Sequence, residues 1–243
     1  MLHRIQNAAR FTLALAIGCC AWWSGVPGSR SAQAAEANDA VVGSLQVALT
    51  KNIGHARNWL DQADYKSLNQ SAGGLQLLAA LLKARGDDAA WQAALGKVEA
   101  AVAEVQAAAK SEDAGNCRSA LDSLEKSATA VAAMKPSGQP LIPPRAPAIR
   151  PLMLVMDSLY ADAKIALLSG NVEGAKKQAF VLAELGGLVS NSRKDERWLS
   201  LAGEFTKAAS TAAASAETDP QTVRQLLRGI SQRCEACHEI RTR

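Results

Sequence analysis

Two cysteines and a histidine stand within five positions near the end of the chain, as Cys234, Cys237 and His238. A thiol can form a covalent bond to a cofactor, and an imidazole nitrogen is a common metal ligand. The spacing Cys-x-x-Cys-His is the attachment signature of a c-type haem, where both thiols add across the vinyl groups and the imidazole binds iron. We therefore expect one covalently attached haem c, with iron, at these three residues.

Two other uses of paired cysteines fit the sequence less well. A thiol-redox pair of this spacing usually starts a helix that follows a β-strand, and strand-forming runs are scarce here. A zinc site requires four ligands, and the remaining candidates, Cys117 and His55, lie far away in the sequence. A haem-free helical scaffold, in which Cys234 and Cys237 form a disulfide, stays open as an alternative.

The elements that position these residues are predicted to be helices. The chain is rich in Ala, Leu, Lys, Gln and Glu and contains only 4% aromatic residues, which favours helix over sheet. Apolar residues recur at steps of three and four, so that each helix has one buried face. In the first and last helices of the second half, these positions are Met153, Met156, Tyr160, Ala163 and Leu167, and Val223, Leu227, Ile230, Cys234 and Cys237.

Proline divides the chain into two similar halves. Six of the eight prolines lie between positions 136 and 151, which predicts an extended linker at 136–149 between residues 35–135 and 150–243. A shift of 107 residues aligns the halves without a gap, which indicates an internal repeat. The aligned identities include Ala56 with Ala163, Leu60 with Leu167, Asp88 with Asp195, Trp91 with Trp198, and Gly96 with Gly203. We predict an all-α fold of two tandem antiparallel four-helix bundles.

The first residues have the pattern of an export signal. Arg4 and Arg10 precede an apolar run that is too short to span a bilayer, and the small-residue pattern Ala-Gln-Ala follows at positions 32–34. We expect residues 1–34 to form a secretory signal peptide, cleaved near Ala34 or Ala35, and the mature protein to be periplasmic. Its removal takes three of the 27 basic residues and none of the 23 acidic ones. The near-neutral remainder does not favour nucleic acid as a partner, and no other segment predicts a membrane span.

A four-helix bundle with Cys-x-x-Cys-His on its last helix resembles the class II cytochromes c, the cytochrome c′ family and its low-spin relatives. The resemblance covers residues 150–243 directly and 35–135 only through the repeat. It implies that Cys234 and Cys237 carry the thioether bonds and that His238 is the proximal iron ligand. Members of this family often have a basic residue shortly after the histidine, near the haem propionates. Arg241 and Arg243 are offset from that position, so that either is a candidate for the contact, and a solvated basic tail is the alternative.

The resemblance also raises the question of the distal ligand. Low-spin relatives have a methionine on the first helix of the bundle, and Met153 and Met156 are the candidates here. An apolar residue such as Leu154 would instead leave a five-coordinate iron that binds NO or CO. The first expectation is a one-electron carrier that serves a periplasmic redox partner protein, with no substrate turnover, and the second is a gas-binding protein.

The first half lacks the haem motif, and its other polar residues suggest no active site. In the last helix the shift relaxes to 106, and Ala128, Val131 and Ala132 take the places of Cys234, Cys237 and His238, so that we expect a haem-free copy with a closed core. Since class II cytochromes commonly pair through their first two helices, this copy is a candidate replacement for a dimer partner. Three further positions have structural predictions: Cys117 is expected in the core, with an intermolecular disulfide as the alternative, and His55 and its equivalent Asp162 at the surface.

Overall fold

The computed structural model describes residues 27–137, 149–190 and 195–241, with their side chains from 38 to 236. Helices are the only regular secondary structure in these ranges, which confirms the predicted all-α class. By its internal contacts the chain divides into two compact units, Met1–Asp39 and Ala40–Arg243. The described part of the first unit is helical. The second unit contains both predicted bundles.

Eight helices follow one another in the described residues. Four belong to the first half: α1 Pro27–Asp61, α2 Tyr65–Lys83, α3 Ala89–Lys110 and α4 Ala114–Ala132. Four belong to the second: α5 Ile149–Leu168, α6 Val172–Ser190, α7 Glu196–Ala214 and α8 Pro220–Arg241. Short connections make consecutive helices antiparallel neighbours, as in a bundle.

An aspartate occupies the N-cap position, directly before the first helical residue, of many of these helices. The first amide groups of a helix have no partner within the helix, so that an aspartate directly before it is stabilising. Asp64, Asp88, Asp113 and Asp195 each accept a hydrogen bond from the backbone N–H three residues ahead, at 2.8–2.9 Å. Asp219 accepts from the N–H of Thr222 at 2.8 Å and stands directly before Pro220, the first residue of α8.

The two halves make the same hydrogen bonds at positions 107 residues apart. The indole of Trp91 donates to the carbonyl of Leu82 at 2.9 Å, and that of Trp198 donates to the carbonyl of Val189 at 2.9 Å. Ala63 and Gly170, the last residues before the caps of α2 and α6, both have left-handed backbones with φ of 55° and 74°. These equivalent bonds and turns support the proposal of an internal repeat.

The core of each half is formed by the faces that the apolar pattern predicts. In the second half, Met156, Ala163 and Leu167 are buried, and Met153 and Tyr160 pack against the core from partly buried positions. Leu152 and Leu159 are buried beside these residues, and Val155 is buried on a second face of α5. Local periodicity within the second half does not predict this second face, because its partner lies in the other half.

Part of this second face packs against α2 of the first half. A Cβ atom placed on Gly74 would lie 2.2 Å from Cγ2 of Val155, and one on Gly73 would lie 3.1 Å from Pro151. Glycine at position 74 therefore permits a close approach of the two helices. Pro151 itself lies in the first turn of α5, where its missing N–H does not interrupt the helix.

Polar contacts join the two halves beside this helix pair. The hydroxyl of Ser158 donates to the side-chain amide oxygen of Asn52 at 2.8 Å, and Arg85 forms an ion pair with Glu184. His55 Nε2 lies 3.4 Å from the carboxylate of Asp162. The prediction that Asp162 is a surface residue is wrong, since it is only 6% exposed, and His55 is half-buried because it faces this carboxylate.

Several predicted segments lie outside the described residues. They include residues 1–26 of the signal peptide and 138–148 of the linker. The expected cleavage position falls within the described backbone, in the first turns of α1. Among the described residues, we find no helix with the length and apolarity that a membrane span requires.

Candidate functional site

Cys234 lies on α8 in line with buried residues of the same helix. Val223, Leu227 and Ile230 are at most 1% exposed, and Cys234 packs against the core from a partly buried position one turn further on. The predicted location of Cys234 on the core face of α8 is thus confirmed. The backbone of Cys237, His238 and Arg241 continues α8, and their side chains lie outside the described part.

Both candidate distal methionines lie close to Cys234. Met153, Met156 and Cys234 line one small cavity, of about 30 Å³, between α5 and α8. Met156 is 5% exposed and Met153 is half-buried. The packing therefore brings together a thiol and two thioethers that are about 80 residues apart in the sequence.

The remaining walls of this cavity are mostly apolar. Val189, Ala202 and Phe205 close it from α6 and α7, and all three are buried. Asp157 and Arg233 line it from exposed positions, where Arg233 forms an ion pair with Glu204 at 3.2 Å. A sulfur-lined cavity with apolar walls suits a soft metal centre that is shielded from water.

The side chains fit a haem in their chemistry, and the volume requires repacking. Thiols and a thioether are the groups that hold a c-type haem and cap its iron. A cavity of about 30 Å³ has room for one or two water molecules, whereas a cofactor pocket typically has about 300–1,000 Å³. A second groove, of about 480 Å³, separates α5 and α8 beside Tyr160 and Ser231.

The equivalent region of the first half is closed by side chains. Ala128 and Val131 are buried, at 4% and 0% exposure, where the second half has Cys234 and Cys237. Gln46 takes the place of Met153, and its amide Nε2 donates to the carbonyls of Val131 and Met134 at 2.9 and 3.1 Å. This glutamine ties α1 to the end of α4 at the place where the second half has Met153.

Leu154 faces a different cavity from the two methionines. It lines a space of about 350 Å³ between α1, α2 and α5, together with Trp59 and Ser158. A one-residue step along a helix turns a side chain by about 100°, which separates Leu154 from Met153. Leu154 therefore does not share the cavity that Cys234 lines with Met153 and Met156.

Cys117 is fully buried in the first half, which confirms its predicted core location. Its exposed fraction is 0%, and burial, with a smaller contribution from Asp113, raises the pKa of the thiol. A thiol that stays protonated and buried is a poor nucleophile, so that an intermolecular disulfide through Cys117 is disfavoured.

Within the side chains that the structure describes, no group of three or more His, Cys, Asp or Glu residues is arranged to hold a metal ion. The imidazole of His238 is not among them. Comparison of the chain with family models, curated proteins and solved structures finds no match. The case for the site therefore depends on the motif and on the cavity that Cys234 shares with Met153 and Met156.

Proposed function

We propose that the chain is an exported mono-haem c-type cytochrome of class II type that carries single electrons to or from a periplasmic partner protein. The observation that carries this proposal is the shared cavity of Cys234, Met153 and Met156. The sequence motif alone predicts attachment and a proximal ligand, and the cavity adds candidate distal ligands on the facing helix.

Each residue has a defined part in this proposal. Cys234 and Cys237 hold the cofactor covalently at the end of α8, and His238 binds the iron from that helix. Met153 or Met156 binds it from α5. The cofactor, when bound, supplies a one-electron ferric–ferrous couple, and a thioether ligand raises its potential.

The surroundings support electron transfer more than substrate turnover. Apolar residues from α6 and α7 line the cavity beside Met153, Met156 and Cys234, and such a lining would limit access of water to a bound cofactor. Rigid ligation by two protein side chains leaves no open coordination position for a substrate. We therefore propose a carrier, and a haem protein that binds NO or CO is the second candidate.

An absorption spectrum of the protein produced with a c-type maturation system tests the proposal. We expect a covalently bound, low-spin haem whose reduced spectrum does not change when CO is added, because both axial positions are occupied. A reduced haem that binds CO readily would favour the gas-binding protein. The complete absence of haem in the purified chain would overturn both proposals and favour a helical scaffold.

A further inference from the structure

The cavity next to Leu154 is distinct from the cavity of Cys234 and is built from both halves of the chain. It measures about 350 Å³, and its walls come from α1 and α2 of the first half and from α5 of the second. This volume is at the low end of the range for small-molecule pockets. We refer to it as the junction cavity.

One wall of the junction cavity is polar and held in place. Asn52 is 3% exposed, and its amide nitrogen donates to the carbonyl of Ala48 at 2.9 Å. The amide oxygen accepts from the hydroxyl of Ser158 at 2.8 Å, across the boundary between the halves. A buried amide with both ends engaged has a fixed orientation, which is typical of a preformed site.

Other walls provide apolar surface and additional polar groups. Trp59 and Val155 both line the cavity and pack within the core cluster, and Leu154 and Ala161 extend this surface. The side-chain amides of Asn58 and Gln62 also line the cavity, and neither makes a hydrogen bond to another described residue. Amides that can both donate and accept suit hydroxyl or carboxamide groups.

The basic groups near the junction cavity face a carboxylate. His55 lines the cavity, and its imidazole faces the buried carboxylate of Asp162, which also has Lys51 at 3.8 Å. Asp157 lines the cavity from an exposed position. Since Lys51 and His55 both face Asp162 and the other charged side chain of the lining is an acid, an anionic ligand is disfavoured and an uncharged one fits the described residues better.

We propose that the junction cavity binds a small uncharged aromatic compound that carries hydroxyl or carboxamide groups. The ring would lie against Trp59, Leu154 and Val155, and its polar groups would bond to Asn58 and Gln62. This proposal does not depend on the haem, because the cavity contains none of its expected ligands. Asp157 lines both cavities, so that the two sites are neighbours.

The probe for the test is 4-hydroxybenzamide, titrated into the full mature chain labelled with ¹⁵N. We expect saturable binding with a Kd of about 1 mM or tighter, as a ligand of this size allows. The indole N–H signal of Trp59 should shift on binding. Those of Trp91 and Trp198 should not, because both donate to backbone carbonyls inside the bundles.

A matched pair of variants locates the site. Ser71 lines the junction cavity, and its equivalent in the second half is Gln178. Because Gln178 is only 1% exposed, the fold accepts a buried glutamine at this position of the repeat. Ser71→Gln should weaken binding by about tenfold or more, because the longer side chain occupies the cavity. Ser123→Gln, at an exposed position on α4, should leave it unchanged. Absence of saturable binding, or equal binding by the Ser71→Gln variant, would overturn the proposal.

Discussion

At the scale of single residues, the chemistry of the proposed site is concentrated in sulfur atoms. Cys234 and the two methionines surround one cavity, and the other cysteine whose side chain is described, Cys117, is buried in the other half. The thioethers of the two methionines and the buried, protonated thiol of Cys117 differ in reactivity. The role of each residue can therefore be tested separately.

The two methionines can be separated by substitution. Met→Leu nearly conserves volume and costs less than about 1.5 kcal/mol of stability. We expect either Met153→Leu or Met156→Leu, and the double variant, to give a high-spin ferric haem that binds CO when reduced. The other single variant serves as the control and should stay low-spin. A double variant that keeps the low-spin spectrum would exclude methionine ligation.

Counting thiols tests the cysteines together. With both thioether bonds formed, Cys117 is the only free thiol of the mature chain, and burial keeps its pKa raised and its sulfur inaccessible. An aromatic disulfide reagent should find no reactive thiol in the folded protein and one after denaturation. Additional thiols after denaturation would mean that Cys234 or Cys237 is not attached to haem.

At the scale of elements, the helices and their boundaries were largely predictable from the sequence, whereas the contacts between helices of different halves were not. The break at Gly170 and Asn171 and the aspartate before Pro220 are local signals, and both mark helix boundaries in the structure. The buried state of Asp162 depends on a helix from the other half, which no local pattern reveals. The cavity of Met153 and Cys234 was foreseen only through the family resemblance, because side chains that are far apart in sequence give no periodic signal.

The turns before α2 and α6 provide a comparison between the halves. Ala63 has φ of 55°, a conformation that costs a non-glycine residue about 1–2 kcal/mol, and its equivalent is Gly170. Ala63→Gly should raise the free energy of unfolding by about 0.5–1 kcal/mol, after the entropy of the added glycine is subtracted. Gly170→Ala should lower it by a similar amount, as measured by urea unfolding. A loss of stability in Ala63→Gly would contradict the assigned turn.

Helix-capping carboxylates give the fold an acid limit. Backbone N–H groups, of Ser137 and Trp91 for Asp88 and of Thr222 for Asp219, lower the pKa of both carboxyls. The pKa of each carboxyl is lower in the folded state than in the unfolded state, where it is about 3.9. Such a carboxyl stabilises the fold at pH values above its unfolded-state pKa, and this stabilisation is lost as the pH falls through its folded-state pKa. We expect helicity, followed by circular dichroism, to weaken below about pH 4. Replacing Asp88 and Asp219 with asparagine should flatten this dependence.

At the scale of the whole molecule, the junction between the halves determines the architecture. Helix α5 buries one face in its own bundle and another against α2, and the described residues 40–241 belong to one compact unit. The first half therefore packs directly against the helix that carries Met153 and Met156. We interpret it as a substitute for the second subunit of a dimer.

Substitution at Gly74 tests how closely the halves pack. A Cβ there would overlap Val155, so that Gly74→Ala should lower the free energy of unfolding by about 1–3 kcal/mol. Gly96→Ala, where a Cβ meets no atom within 4 Å, should raise it by about 0.5–1 kcal/mol through helix propensity. Equal effects of the two substitutions on chemical unfolding would show that the contact between α2 and α5 carries little stability.

Deleting residues 35–148 tests the interpretation of the first half as a substitute subunit. The isolated second half would expose Pro151 and Val155, which pack against α2, and exposed apolar surface of this kind favours self-association. We expect the truncated protein to dimerise or to lose stability, as measured by sedimentation and thermal unfolding. A truncated domain that is monomeric and equally stable would contradict the interpretation.

The pair of His55 and Asp162 shows what a fused chain permits. These residues occupy equivalent positions, 107 apart, and they contact each other. In a dimer of identical subunits, a residue on the two-fold axis meets its own copy, so that a histidine there could only face a histidine. Once both copies lie in one chain, the two equivalent positions can be substituted independently. A pair of identical side chains, which attract each other little or repel, can then become an acid facing a base. The contact is thus a form of complementarity that no symmetric homodimer could encode.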